Sequence, residues 1–181
     1  SFVDFADADV RYTLLNQRIL DQYKNLVVIK SISKSYGIPG LRLGILATGN
    51  RELLEKISAN LAIWNINSFA EYFLEIFPLY QREYVKGCDR LSREREYLTK
   101  GLEELGFLKV YPSQANYVMC RVESITSREL ANLLIGKYNI LIKDLSTKLG
   151  FEGRQYIRIA IKGREENDFL LSALTEIGAG L

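Results

Sequence analysis

The sequence contains no histidine, and this absence removes several kinds of chemistry from consideration. Without an imidazole, the 181-residue chain holds neither a Ser-His-Asp nor a Cys-His catalytic group. Most imidazole-ligated zinc sites are excluded for the same reason. Any proton that this chain transfers must therefore be carried by a lysine, a tyrosine, a cysteine or a carboxylate.

Cysteine and long apolar runs are also scarce. The two cysteines, Cys88 and Cys120, lack metal-ligand spacing, so we predict no metal site and a reducing, cytoplasmic environment. The 24 basic and 22 acidic residues give a net charge of +2, which favours neither a nucleic-acid nor a membrane partner. No apolar run approaches the roughly 20 residues that span a bilayer. We therefore expect a protein that is not bound to a membrane.

The apolar pattern at the start of the chain predicts alternating strands and helices. Residues 26–29 form a short β-branched run, which is typical of a strand buried on both faces in a parallel sheet. A second such strand is predicted over residues 43–47. Asn50 can cap a helix that follows it.

Farther along the chain, apolar residues at spacings of three and four predict one long helix over 80–105. The capping box Thr126-x-x-Glu129 predicts the start of one later helix, and Gly163 predicts the start of another. Short strands are predicted around these helices, at 107–111, 116–121, 140–143 and 155–161. We therefore expect an α/β region over 1–79, a long helix over 80–105 that contains the domain boundary, and a smaller α+β domain over 106–181.

One segment, Ser31-Ile-Ser-Lys-Ser-Tyr-Gly-Ile-Pro-Gly-Leu-Arg-Leu-Gly44, follows directly on the first predicted strand. Parallel α/β sheets bind ligands at this end of a strand. Lys34 offers an amine that attacks a carbonyl when it is neutral, and Arg42 can hold a phosphate bidentately. Ser31 and Ser33 add hydroxyl donors. These groups suit a phosphorylated aldehyde, whereas a polar turn with an ordinary surface lysine is the alternative.

The whole segment resembles the lysine motif of class I and II aminotransferases, which are fold-type I pyridoxal-phosphate enzymes. The histidinol-phosphate aminotransferase and threonine-phosphate decarboxylase group is the most similar. The resemblance implies that Lys34 carries pyridoxal 5'-phosphate as a Schiff base and that Ser31, Ser33 and Arg42 bind its phosphate. It also implies the C-terminal part of a large domain with a mostly parallel sheet, followed by the small domain.

Residues 64–70 resemble a family segment that lies near the active site and the dimer region, which makes Asn65 a candidate substrate-binding residue. The alternative is a helix N-terminus that Asn67 or Ser68 caps. Residues 112–117 resemble the stretch that opens the family's small domain.

The segment 156–161 alternates with period two, which places Arg158 on the face opposite three isoleucines. It resembles a family strand, and the resemblance implies that Arg158 binds an anionic group of the substrate, usually the α-carboxylate. A surface salt-bridge arginine is the alternative. Lys143 stands where the histidinol-phosphate enzymes have a phosphate-binding arginine. Lysine keeps the charge but lacks the planar fork, which argues against histidinol phosphate as the substrate.

The family is about twice as long, and the aspartate that pairs with the cofactor's pyridine nitrogen would precede Ser1. Phe2 takes the place of the family's tyrosine. The resemblance implies an aminotransferase that uses an amino acid or a phosphorylated amino compound with an oxo-acid co-substrate, works as a homodimer and moves the proton with Lys34. A decarboxylase of a phospho-amino acid is the alternative, and a fragment inactive by itself is a further one.

Overall fold

The computed structural model describes residues 2–10 and 12–181. The chain forms two compact units, Ser1–Cys88 and Asp89–Leu181, and the division falls within one long helix. The fold class is mixed α/β, as predicted.

The first unit contains short strands and helices joined by turns. Its elements are 3-10 turns at Val3–Phe5, Ala8–Val10 and Pro39–Leu41, helices α1 (Gln17–Gln22) and α2 (Arg51–Ala59), strands β1 (Val27–Ser31) and β2 (Gly44–Thr48), and the beginning of α3 (Ser68–Glu103). The predicted cap of α2 is confirmed, because the Asn50 side chain accepts a hydrogen bond from the Leu53 N–H.

The pairing of the first two strands corrects the expectation that residues 26–29 form a strand buried on both faces in a parallel arrangement. β1 and β2 form an antiparallel pair, and within residues 2–10 and 12–181 no further strand joins them. The loop of residues 32–43 between them contains no crossover helix, and a parallel pair requires one or a similarly long connection. Both strands expose apolar side chains, and Ile29 is 79% accessible. The apolar run predicted a strand correctly but not its partner or its burial.

Helix α3 begins earlier than the predicted residue 80. The Asn67 side chain accepts a hydrogen bond from the Ala70 N–H at 3.0 Å, which agrees with the capping alternative for this segment. The helix continues through Pro78, a residue that removes one backbone donor and usually marks a helix end. The periodic pattern therefore located the helix, and the proline concealed its beginning.

The second unit is a four-stranded antiparallel sheet with two helices. Its elements are the end of α3, strands β3 (Leu108–Tyr111), β4 (Tyr117–Val122), β5 (Lys143–Asp144) and β6 (Tyr156–Ala160), and helices α4 (Ser127–Tyr138) and α5 (Arg164–Gly178). The strand order is β3-β4-β6-β5. Of the strand predicted over 140–143 only Lys143 lies in a strand, the two-residue β5 at the sheet edge. The capping box of Thr126 and Glu129 is confirmed, and so is Gly163 as the residue before α5.

One face of this sheet is buried against the helices. Its fully buried side chains come from β4, β6, α3, α4 and α5 and include Val118, Ile157, Leu98, Leu130 and Leu174. Burying side chains of this size stabilises the unit by roughly 1.5 to 3 kcal/mol each. The other face therefore carries the polar residues of the same strands.

No helix in the described ranges combines the length and the apolar character needed to cross a membrane. Within those ranges there is also no group of three or more histidine, cysteine or carboxylate side chains placed to hold a metal ion.

Candidate active site

The lysine segment forms the connection between β1 and β2 in the first unit. Ser31 is the last residue of β1 and is exposed, Ser33 is buried, and Lys34 is exposed at the start of a tight turn. The turn is closed by backbone bonds, in which the Gly37 N–H donates to the Lys34 carbonyl and the Ile38 N–H donates to the Ser33 carbonyl. The backbone therefore fixes the Lys34 position while its side chain stays accessible.

Apolar residues on both sides of Lys34 attach this loop to α3. Ile32 and Leu43 are buried together with Ala70, a residue of the first turn of the helix. The Asn67 side-chain amide donates to the Leu41 carbonyl at 3.0 Å, which joins the helix N-terminus to the loop. The two ends of the loop are thus held against one helix.

The aromatic ring of Tyr36 provides a further attachment. It stacks on the Tyr84 ring with centroids 4.5 Å apart, and it lies 4.9 Å from the Phe77 ring. Phe73 packs against Phe77 at 5.6 Å. The three α3 residues share one helix face because their spacings are close to whole helical turns. Tyr36 is two residues from Lys34, so this cluster restrains the loop next to the lysine.

Arg42 adopts a backbone conformation that is unusual for its residue type. Its φ of 57° lies in the left-handed region, which is unfavourable for a residue with a side chain. Its guanidinium is exposed, and Nη1 donates to the Pro39 carbonyl at 2.9 Å. A guanidinium has five N–H donors, so this bond leaves most of the fork for an anion. Backbone outliers of this kind concentrate at functional sites.

Polar groups are buried beneath the loop. Lys30 and Asp4 form an ion pair at 2.7 Å, with side chains only 12% and 16% accessible. The second Asp4 oxygen, the Ser35 hydroxyl and the Tyr84 hydroxyl are buried as well. Burial raises the pKa of Tyr84 far above its usual value, and the negative charge of Asp4 raises it further. The tyrosine is therefore neutral throughout the physiological pH range.

The Lys34 amine has an aromatic neighbour. Its Nζ lies 4.5 Å from the centroid of the Phe2 ring, a distance at which an ammonium is attracted to the ring face. Phe2 has no hydroxyl, so it offers the amine an apolar surface rather than a hydrogen bond.

The donor set of the loop fits a phosphorylated aldehyde. Ser31, Lys34 and Arg42 are exposed within twelve residues of sequence that the backbone folds into one connection. An amine is available for the aldehyde, and a hydroxyl and a guanidinium fork are available for the phosphate. The Ser33 side chain is largely buried. It can therefore contribute to such a site only through its hydroxyl and its backbone groups.

The second unit places two other predicted residues side by side. Lys143 on β5 pairs with Arg158 on β6 in the antiparallel ladder, so both side chains lie on the same face of the sheet. Arg158 is exposed between the buried Ile157 and Ile159, which confirms the predicted alternation. Its guanidinium lies 5.0 Å from the Tyr117 ring centroid, and stacking on an aromatic ring holds it in a defined direction.

These two cations line a cleft of about 490 Å³ at the β5 edge of the sheet. Arg128, from the first turn of α4, and Asp144 line the same cleft. Arg128 was not predicted as a site residue, because the capping box alone explains the segment around it. The cleft therefore contains three positive side chains and one carboxylate.

Asn65 lies outside the loop that contains Lys34 and Arg42, and it is not on the strands that pair Lys143 with Arg158. It is exposed in the segment before α3, two residues ahead of Asn67. Its neighbours Ile63 and Trp64 are 93% and 90% accessible. The segment therefore presents apolar and amide groups outward.

Comparison with known proteins gives a consistent family match. The model of the family described as aminotransferase class I and II matches residues 2–174. The chain is 38% identical, over 99% of its length, to a CMP-5'-(3-aminopropyl)phosphonate synthase of Streptomyces rubellomurinus, of which it covers 28%. It is 34% identical, over 98% of its length, to an L-serine phosphate decarboxylase of Sulfurospirillum multivorans, of which it covers 46%.

A solved structure, the histidinol-phosphate aminotransferase of Clostridium acetobutylicum, superimposes with a TM-score of 0.83 at 30% identity. The match covers 100% of this chain and 53% of that one. The chain thus spans about half the length, or less, of the proteins that it resembles.

Proposed function

The chain belongs to the class I and II aminotransferase family, and we propose that it supplies the lysine and the substrate anion sites of a pyridoxal-phosphate-dependent aminotransferase. The proposed substrate is an amino acid or a phosphorylated amino compound. The observation that carries this proposal is the exposed Lys34 in a loop that also presents Ser31 and Arg42. The packing around Tyr36 holds this loop against α3, whereas a turn with an ordinary surface lysine would lack such packing.

In this proposal the first unit binds the cofactor. Lys34 would hold the cofactor through its amine, Ser31 and Ser33 would donate hydrogen bonds to the phosphate, and Arg42 would neutralise its charge. When bound, pyridoxal phosphate supplies the electron sink for the carbanion at the substrate's α-carbon. The neutral amine of Lys34 would act as the base that takes the substrate's α-proton and as the acid that gives this proton back. The Phe2 ring excludes water from one side of the amine.

The second unit contributes the anion sites for the substrate in the same proposal. Arg158 binds the α-carboxylate through its fork, with its direction fixed by Tyr117. Lys143 adds a positive charge beside it. Asn65 is proposed as a polar contact to the substrate.

Decarboxylation at the α-carbon is the second candidate. The similarity to L-serine phosphate decarboxylase, at 34% identity, supports it. The two reactions use the same lysine and differ in which bond to the α-carbon breaks. Incubating the complete gene product with pyridoxal phosphate, O-phospho-L-serine and an oxo acid distinguishes them, because decarboxylation releases carbon dioxide and transamination consumes the oxo acid.

A homodimer is also proposed. The exposed apolar side chains of Ile63, Trp64 and Phe69, of which Phe69 is 78% accessible, support an interface in this region. We expect the complete gene product to sediment as a dimer and Trp64→Glu to shift it towards the monomer. Unchanged sedimentation of that variant argues against this interface.

The decisive test of the proposed function is a chemical one. Borohydride reduction of the complete gene product loaded with pyridoxal phosphate should fix the cofactor on the peptide that contains Lys34. Lys34→Ala should fold with the same circular dichroism spectrum and carry no reduced cofactor. Cofactor fixed to a different lysine would show that the site is assigned to the wrong loop.

A further inference from the structure

We propose that Arg128 is a specificity-determining residue of the cleft that contains Lys143 and Arg158, and that this cleft accepts a substrate with two separate anionic groups, a carboxylate and a phosphate or phosphonate. This inference rests on the proposed function and narrows its substrate class. The sequence motifs that indicate the family do not include Arg128.

The position of Arg128 follows from contacts at the start of α4. The Ser127 hydroxyl donates to an Asp144 carboxylate oxygen at 2.7 Å, and this bond ties the first turn of the helix to β5. The Ser127 N–H also donates to the Gln155 side chain at 2.8 Å. Arg128 is the next residue and lines the cleft that Lys143 and Arg158 line from the sheet. Three separate elements, α4, β5 and β6, thus each contribute one cation.

The charges of the cleft do not cancel. Arg128, Lys143 and Arg158 carry three positive charges, and Asp144 carries one negative charge. Burial opposes ionisation of Asp144, but hydrogen bonds from the Ser146 N–H and from the Ser127 and Ser146 hydroxyls, together with the positive charge of Arg128, outweigh it and lower its pKa. Asp144 therefore stays ionised and offsets one of the three positive charges. A surplus of two positive charges is left for a ligand.

This surplus exceeds what an α-carboxylate alone requires. A carboxylate carries one negative charge, whereas a phosphate monoester carries about 1.5 to 2 at neutral pH. Arg158 suffices for the carboxylate, and Lys143 provides only a point charge for a second group. The Arg128 fork supplies the paired donors that a phosphate or phosphonate oxygen pair accepts. The volume of about 490 Å³ is ample for a compound of amino-acid size.

The test measures ligand binding without relying on turnover. O-phospho-L-serine and L-serine are titrated calorimetrically into the complete gene product, with and without pyridoxal phosphate. We expect Arg128→Gln to weaken the binding of O-phospho-L-serine by about ten- to a hundredfold and to leave the binding of L-serine unchanged. Arg128→Lys should recover part of the loss, because it restores the charge without the fork.

The matched control is Arg93→Gln, which removes an exposed arginine of α3 that does not line the cleft. It should bind both ligands as the wild type does, which separates the effect of Arg128 from that of net charge. The inference is overturned if the wild type does not prefer O-phospho-L-serine, or if Arg128→Gln weakens both ligands equally or neither. Failure of the proposed function is seen separately, as absence of cofactor on Lys34 in the wild type.

Discussion

The ring of Tyr36 lies nearly parallel to the ring of Tyr84, with an interplanar angle of 12° and centroids 4.5 Å apart. One ring belongs to the loop that presents Lys34, and the other belongs to helix α3. The stack therefore connects the stability of the loop to a residue that is distant in sequence.

We expect Tyr84→Ala to lower the free energy of unfolding by about 2 to 4 kcal/mol, because it removes the stack and leaves a cavity. Tyr84→Phe keeps the ring and deletes only the buried hydroxyl. That change should lower the free energy of unfolding much less than Tyr84→Ala. Urea denaturation of the two variants measures the difference. Equal destabilisation by both would contradict the role assigned to the ring.

Alkaline pH provides a second measurement on the same residue. Burial and the charge of Asp4 raise the pKa of Tyr84 above its ordinary value of 10.0, so the fold favours the neutral phenol. The stability from a raised pKa is fully present below the unfolded value and is lost as pH rises above it. The wild type should lose stability above about pH 10 more steeply than Tyr84→Phe. Parallel pH profiles for the two proteins would show that the phenol ionises without penalty.

Arg42 and Arg158 should affect different properties of the complete gene product, namely cofactor retention and substrate binding. Arg42→Gln should weaken cofactor retention, measured by the absorbance that remains after dialysis. Arg158→Gln should raise the Michaelis constant of the amino substrate, with a loss of about 2 to 4 kcal/mol of transition-state binding.

Arg121→Gln is a suitable control for both variants, since Arg121 lies on the same sheet face but pairs with Glu123. It should leave cofactor retention and the Michaelis constant unchanged. An Arg158→Gln enzyme with wild-type kinetics would make Arg158 an ordinary surface residue.

The thiol of Cys120 should be inert in the folded protein. It is fully buried in β4, and burial raises its pKa to about 12. The thiolate is the reactive form, so labelling with a disulfide reagent at pH 8 should await unfolding. The Cys88→Ala variant isolates the signal of Cys120. Rapid labelling of that variant in native buffer would mean that β4 opens readily.

Local signals in the sequence predicted local structure correctly. The Asn50 cap, the Thr126 and Glu129 capping box and the alternation around Arg158 depend on residues within a few positions of each other. Strand direction was wrong because an apolar run indicates burial but does not specify a partner. The beginning of α3 was predicted too late because Pro78 interrupts the periodic pattern, although the capping alternative at Asn67 agrees with the observed start.

The same distinction applies to the candidate site. The loop of Lys34 was located because its residues are contiguous, and the roles of Lys34 and Arg42 stay predictions. Arg128 was not predicted, because its position in the cleft depends on the hydrogen bond between Ser127 and Asp144. The pairing of Lys143 with Arg158 likewise depends on the ladder between two strands.

The left-handed backbone of Arg42 makes an arginine at this position less favourable for the stability of the fold than a glycine. Glycine adopts that conformation without the penalty of about 1 to 2 kcal/mol that other residues incur. Selection for heat resistance alone should therefore enrich glycine at position 42, whereas selection for activity should restore arginine. Thermal directed evolution of this protein will need an activity screen at every round to keep its candidate phosphate ligand.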